Sequence, residues 1–569
     1  MGIAARTSDP GLRTSDSRAE RRITLLVFAI SCAYLFLFRR YTNLEPDEGI
    51  VLQGAQRILR GEVLYRDFFS FFTPGSYYFL ALLFKIFGNS FLVARTALAL
   101  MGGVMSLIHY LLARRVCSRG SALAVTGLVT LTSLPYRFLV LHNWDSTLGA
   151  CLALYCAVRW LETGNWKLAT GNCSWAFATG SFASLTFLFE QSKGAGLMLG
   201  LGGGLLALAY SKIDNRQSKI GPAAFCFVPS AYWLLAGAAW PFALTLGYFG
   251  AQHSLSPMLA DWLWPLQHYS TANRVLYGYQ NWSESDVRSL FFSGSWFERL
   301  VTAVTLSPCF LVPVLPLVAF GLGVYWVRRL WRRKTPEPKS AYYVLVNAAL
   351  CGLLLSVVMG RADIIHFMYL APLFYLVLAW AMDGRDIPGS IFRTLRPILN
   401  AYVLVAFGLL SAPLLLRALQ APYKLETRRG AVMTSGRDTV IPYVQARVPP
   451  GEKILVYPYL PLYYYLTGTS SPTRYDYFQP GMHTLEQSRE MVSELAAQRL
   501  DGVLLEISFA DKIPTSWPGT SLAAIANDPI ADYIVQNYRA CRVLKSPRNG
   551  RFLFVLRKGL PCPQEGSMQ

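Results

Sequence analysis

The sequence predicts a polytopic α-helical membrane protein carrying a soluble α/β domain at its C-terminal end. Three observations carry that prediction. Charged residues make up only 15% of the 569, against roughly 25% in soluble domains, and mean hydropathy is +0.32. Long apolar windows recur between residues 23 and 416. Beyond 416 the pattern changes to short buried strands and amphipathic helix. A formal net charge of +20 would suggest nucleic acid as the partner of a soluble chain. In a membrane protein it reads as the Lys/Arg excess that sets topology and meets anionic lipid headgroups, so no nucleic-acid partner is expected.

Residues 1–22 are polar and rich in Ser, Thr and Arg, and read as a disordered cytoplasmic tail. About eleven spans follow: Ile23–Phe38, Phe91–Leu112, Ser121–Leu134, Ser146–Trp160, Cys173–Phe189, Gly194–Tyr210, Ala223–Phe249, Leu300–Val327, Ala341–Met359, Phe367–Met382 and Ile398–Leu416. Several are shorter than the ~20 residues a crossing helix needs, so their flanks must complete them. The first is read as an uncleaved anchor. With this count the basic connections (Arg114–Arg119, Lys212–Lys219, Arg328–Lys339, Arg385–Arg396) share the side of the basic N-terminus, which the positive-inside rule makes cytoplasmic. The bacterial inner membrane is the expected location. Tyr77–Phe87 is apolar but too short to cross alone, and if it did cross it would move the basic connection at 328–339 outside. It is read as interfacial or re-entrant.

The opposite, periplasmic side then holds the first loop (39–90), Pro135–Asp145, Glu190–Lys193, Gly250–Arg299, Gly360–His366 and the domain at 417–569. Within the first loop Gly49–Arg60 is patterned as a helix lying on the membrane surface. The loop at 250–299 is aromatic and fits a lid, an acceptor surface or an interfacial belt. In the C-terminal domain Lys453–Tyr457 and Gly502–Ile507 read as strands, Thr484–Gln498 as a helix, and Cys541–Leu544 with Arg551–Leu556 as a hairpin. Seven of the ten Cys lie in apolar segments, where packing is their default role. Cys541 and Cys562 are placed where an oxidising compartment could join them. No internal repeat is visible, which weakens an inverted-repeat transporter reading.

Ionisable residues at the mouth of a membrane protein cost desolvation, so they direct attention to function. The densest group is Glu45, Asp47 and Glu48, just after the first span. The same side supplies Asp67, Arg137, His142, Asp145, Glu190, Lys193, Arg361, Asp363 and His366. Carboxylates beside fixed cations suit a reaction between a hydroxyl acceptor and an anionic lipid-phosphate donor: the carboxylate takes the hydroxyl proton, and Arg or Lys meets the departing phosphate. Each candidate also has a plainer reading. Asp145 can cap the helix beginning at Ser146, Asp67 can simply pair with Arg66, Arg361 with Asp363, and His366 can be an interfacial side chain.

In layout over residues 20–420 the chain resembles the GT-C glycosyltransferases that use polyprenyl-phosphate sugars, in particular the protein O-mannosyltransferases and the lipid A aminoarabinose transferases. The resemblance rests on Pro-Asp-Glu at 46–48, Gly-x-x-Leu-Tyr-Arg-Asp at 61–67, Pro74-Gly75, Phe87-Gly88, Asp145, Phe189-Glu-Gln-Ser-Lys193 and Gly360-Arg-Ala-Asp-Ile-Ile-His366. It implies inverting transfer with Asp47 as general base and Glu48 supporting it or binding acceptor groups. It also implies a donor phosphate near Lys193, with Arg361, His366, Arg137, Asp145 and Asp67 as further substrate-binding candidates. It implies no required metal, although Asp47, Asp67 and Asp145 would suit a divalent cation if they converged. The acceptor would be a cell-envelope glycan, a lipid or a protein. No β-trefoil acceptor domain is present in the sequence, which counts against protein. Two other classes compete: a flippase for a lipid-linked sugar, which needs polar residues facing both leaflets, and a scaffold presenting the C-terminal domain, which leaves the acidic stretch without a purpose.

Overall fold

Among the described residues, each of the eleven apolar windows is helical over most of its length. The computed structural model describes residues 10–163, 173–213, 227–332, 338–384, 390–479 and 481–562; the basic connections at 214–226, 333–337 and 385–389 fall outside these. The first helix, α1, runs Pro10–Phe36. Residues 10–22 are therefore helical rather than the expected disordered tail. Glu20 explains part of this, since its carboxylate binds Arg114 at 3.0 Å and Arg119 at 2.9 Å and accepts from Tyr110 at 2.6 Å. Then come α2 (Pro46–Leu59), α3 (Gly75–Phe87), α4 (Phe91–Ala113), α5 (Arg119–Tyr136), α6 (His142–Thr163), α7 (Cys173–Phe189), α8 (Gln191–Ile213) and α9 (Phe227–Ala251). The aromatic loop forms α10 (Leu255–Asn273) and α11 (Glu284–Phe292), and α12 (Trp296–Arg332) and α13 (Pro338–Met359) follow. The tenth window is broken at Leu370 into α14 (Ile364–Tyr369) and α15 (Ala371–Asp383), with Pro372 in the first turn of the new helix, and α16 (Ser390–Leu419) closes the bundle. Among the described residues, six helices are long and apolar enough to cross a membrane; α3, α7 and α15 are shorter apolar helices.

The C-terminal domain opens with a two-stranded ribbon, β1 (Tyr423–Leu425) and β2 (Val432–Thr434), and helix α17 (Val440–Arg447). Next are β3 (Leu455–Tyr457), α18 (Pro461–Thr467), α19 (Leu485–Gln498) and β4 (Gly502–Glu506). Helices α20 (Phe509–Ser516), α21 (Leu522–Ala526) and α22 (Pro529–Asn537) lead to the hairpin β5 (Tyr538–Ser546) and β6 (Gly550–Arg557). The strands form one mixed sheet in the order β3-β4-β6-β5, parallel between β3 and β4 and antiparallel elsewhere. Cys541 and Cys562 form a disulfide, with Cα atoms 5.4 Å apart.

Helix α2 is not the surface helix its pattern suggests. Ten of its residues, Glu48 through Arg57, are buried. It runs under α18 so closely that a Cβ on Gly49 would collide with the backbone of Pro461 and Leu462, which leaves glycine as the residue that fits. Arg57, in its last turn, is paired with Asp476 at 3.0 Å and with Glu62 at 2.6 Å. Apolar packing is continuous across the two parts: Val51, Phe84 and Leu98 belong to the same core as Leu462, Leu504 and Phe552. The first loop is thus a filling between bundle and C-terminal domain, and it carries the acidic stretch into that junction.

Candidate active site

The backbone that precedes α2 is tied to the C-terminal domain before any side chain is considered. Thr42 N donates to Met433 O and Met433 N to Arg40 O, both at 2.8 Å. Leu44 takes a left-handed conformation (φ 53°), and its carbonyl accepts from Asn549 Nδ2 at 2.9 Å. Pro46 then starts the helix, its fixed φ suited to that position. Asp47 and Glu48 sit in the first turn, where the helix dipole favours anions.

Successive helical residues point about 100° apart, and that separates the two carboxylates. Glu48 is 0% exposed and faces Arg95, itself 1% exposed. The pair is bidentate, Nε–Oε1 at 2.5 Å and Nη2–Oε2 at 2.6 Å, and Val140 N donates to Oε1 at 3.0 Å. That carboxylate is committed to holding α2 against α4. Asp47 turns the other way. Arg137 Nη2 binds its Oδ2 at 3.1 Å, and the Tyr459 hydroxyl donates to its Oδ1 at 3.1 Å. Glu45 shares Arg137 at 3.4 Å and meets Arg548 at 3.1 Å. Burial pushes the Glu45 carboxyl up, but Arg137 and Arg548 outweigh it and hold it below the ordinary carboxylate range.

The cationic side of the site is assembled from α5 to α8 and the segment before α14. Lys193 is 1% exposed and is held by Glu190 Oε2 at 2.9 Å, Asn143 Oδ1 at 2.8 Å and Asn143 O at 3.1 Å. Its ammonium lies 5.4 Å from the centre of the Tyr369 ring. Tyr369 also meets Arg137 and packs against Trp144 and His366. Asp363 caps α14 and organises its neighbours: Arg361 Nε at 2.5 Å, His366 Nδ1 at 2.6 Å, and Asn281 Nδ2 at 3.1 Å. Despite burial, His366 and Arg361 hold the Asp363 carboxyl well below its usual range. Tyr269 lies within electrostatic reach of Arg361, Asp363, Glu190 and Asp47 at once.

Of the residues singled out by sequence, Asp47, Arg137, Lys193, Arg361 and His366 are therefore brought together through Tyr369 and Tyr269. Asp145 is buried behind them, beside Ser76 and within the field of Lys193. Asp67 lies elsewhere. It pairs with Arg66 at 2.8 Å and accepts from Val63 N at 2.7 Å, on the wall of a cleft of about 580 Å³ shared with Arg57, Arg60, Arg474 and Glu494. Asp47, Asp67 and Asp145 do not gather, and among the described residues no set of three or more His, Cys, Asp or Glu side chains is placed to hold a metal ion. Sequence reasoning passed over Arg95, Tyr369, Tyr459 and Arg548. Arg95 carried a signal, as a lone charge inside an apolar window; the two C-terminal residues carried none.

Residues 73–233 match the family model for dolichyl-phosphate-mannose-protein mannosyltransferase. A comparison with curated protein sequences finds no match. Among solved structures, ArnT from Cupriavidus metallidurans is similar both bound to undecaprenyl phosphate (12% identity, 95% of this chain and 99% of that chain, TM-score 0.51) and in the apo state (12%, 96% and 100%, TM-score 0.52). The archaeal oligosaccharyltransferase AglB from Archaeoglobus fulgidus, in complex with an inhibitory peptide and a dolichol-phosphate, aligns at 12% identity over 95% of this chain and 75% of that one, TM-score 0.46. The ArnT similarity establishes a shared fold over nearly the whole chain. Residues 73–233 add a family-level likeness to the dolichyl-phosphate-mannose-protein mannosyltransferases, and the long apolar helices make the chain a multi-pass membrane protein of the ArnT fold.

Proposed function

We propose that the chain transfers one sugar from a polyprenyl-phosphate donor to a hydroxyl of a cell-envelope glycan, lipid or protein, on the periplasmic face of a bacterial inner membrane. The observation that carries this reading is the grouping of the Asp47 carboxylate with Arg137, Lys193, Arg361 and His366 around Tyr369 and Tyr269. Asp47 takes the proton of the acceptor hydroxyl as its oxygen attacks the anomeric carbon. The bond from that carbon to the phosphate oxygen breaks, and polyprenyl phosphate leaves with one more negative charge. Lys193, His366 and Arg361 meet that charge. A single displacement of this kind inverts the anomeric configuration. Lys193 and Arg361 offer the phosphate its counter-charge, and the mechanism assigns no step to a metal ion.

Purified protein in proteoliposomes, given a radiolabelled polyprenyl-phosphate sugar and membrane-extract acceptors, is expected to release one polyprenyl phosphate per sugar transferred, with the anomeric configuration inverted. Movement of the intact donor between leaflets with no transfer of label would replace this reading by a flippase.

A further inference from the structure

The acidic stretch is held from the C-terminal domain at four successive points. Thr42 pairs with Met433, Leu44 with Asn549, Glu45 with Arg548 and Asp47 with Tyr459. The last of these contacts reaches the candidate base itself. Tyr459 stands between β3 and α18, and its ring is fixed edge-on by Tyr477, with centroids 5.4 Å apart at 80°, and by Trp517, at 5.5 Å and 73°. Its hydroxyl therefore has a set direction that owes nothing to the membrane bundle. Arg137, from the bundle, takes the opposite oxygen of the same carboxylate.

We infer that Tyr459 is a positioning residue: the C-terminal domain supplies a hydroxyl donor that aims the Asp47 carboxylate for its work as base. The inference rests on the reading of Asp47 as base and goes beyond it by making the C-terminal domain part of the active site. With one donor on each oxygen, rotation of the carboxylate is restrained, and each oxygen keeps an unoccupied lone pair. The acceptor's proton goes to one of those lone pairs, so neither donor has to be displaced. The other charged or titratable groups around Asp47 are Glu45 on its own stretch, Arg137 between α5 and α6, Tyr369 of α14 and Tyr269 of α10. Of the donors to Asp47, Arg137 is also shared with Glu45, whereas Tyr459 serves Asp47. The sharing of Glu45 with Arg548 limits how far Arg137 is drawn away.

Tyr459→Phe tests this, because it keeps both ring contacts and removes only the hydroxyl. The expected result is an unchanged unfolding midpoint and an unchanged KM for the polyprenyl-phosphate sugar, with kcat lower by about tenfold. The fall in kcat with KM and the unfolding midpoint unchanged is what separates positioning from a purely structural role. A variant with wild-type kcat would overturn the inference. So would a lower kcat that comes with a lowered unfolding midpoint or a raised KM, as a purely structural role requires. Asp47→Asn run in parallel separates the two levels: full activity there removes the base itself, whereas an inactive Asp47→Asn beside an unaffected Tyr459→Phe removes only the role given to Tyr459.

Discussion

Asp47 and Glu48 are neighbours with opposite employment, and the difference is one step of helical rotation. Glu48 is sealed against Arg95, and its removal leaves a buried guanidinium without a counter-charge. Glu48→Gln is expected to cost about 3–5 kcal/mol of stability, read as a large fall in the thermal unfolding midpoint, whereas Asp47→Asn should unfold close to wild type. The support the sequence assigned to Glu48 is therefore, in the structure, a matter of holding α2 in place. Both residues could be found from their cluster, but their separation depends on Arg95 and Tyr459, at distances in sequence that no local pattern spans.

Glu190 makes a pH prediction at the same scale. Burial raises its carboxyl, but Lys193 and His142 more than reverse this and hold it at about 2. A carboxyl lowered in the folded state stabilises above its unfolded value, about 4.3, and that contribution is lost as pH falls through the folded value. Unfolding monitored from pH 5 to pH 2 should show declining stability, and Glu190→Gln should flatten part of that slope while starting from a lower value at neutral pH. An unaltered slope in the variant would show that Glu190 is not held ionised by its neighbours.

At the scale of elements, the spans were the most legible part, because membrane crossing imposes a long apolar run that composition alone reveals. The hairpin β5–β6 was legible from its Pro547-Arg-Asn-Gly550 turn. Helix α2 was correctly seen as a helix and wrongly laid on the membrane surface. Its polar positions look like a solvent-facing stripe, but Arg57 and Gln53 face Asp476, a partner more than 400 residues away. The break at Leu370 was missed because an apolar run hides a change of helix direction. The disulfide between Cys541 and Cys562 ties the chain end to β5 across a separation of 21 residues. Closing a loop of that size is worth about 3 kcal/mol in a chain-entropy account. Reductant should lower the unfolding midpoint of the protein, and a Cys562→Ser variant should show the same midpoint with and without it.

At the scale of the molecule, charge bias predicts the orientation, and packing shows which groups share one end. The basic connections were assigned to one side by count, and the acidic stretch, Lys193, Arg361 and the C-terminal domain to the other. In the structure those latter groups do meet at one end, and a single apolar core runs from the bundle into the domain. Single cysteines at Ser470 and at Arg332 test the orientation. An impermeant thiol reagent added to intact cells with a permeabilised outer membrane is expected to label Ser470→Cys and to spare Arg332→Cys until the inner membrane is opened. The reverse pattern would invert the topology and move the site to the cytoplasm.

The central claim is that Asp47 activates the acceptor hydroxyl for attack on a polyprenyl-phosphate sugar. The most direct measurement is transfer of label from that donor by purified wild-type and Asp47→Asn proteins, matched for folding by their unfolding midpoints. The account predicts that the variant binds donor yet transfers at least about a hundredfold more slowly. Transfer at the wild-type rate by a folded Asp47→Asn protein would contradict it.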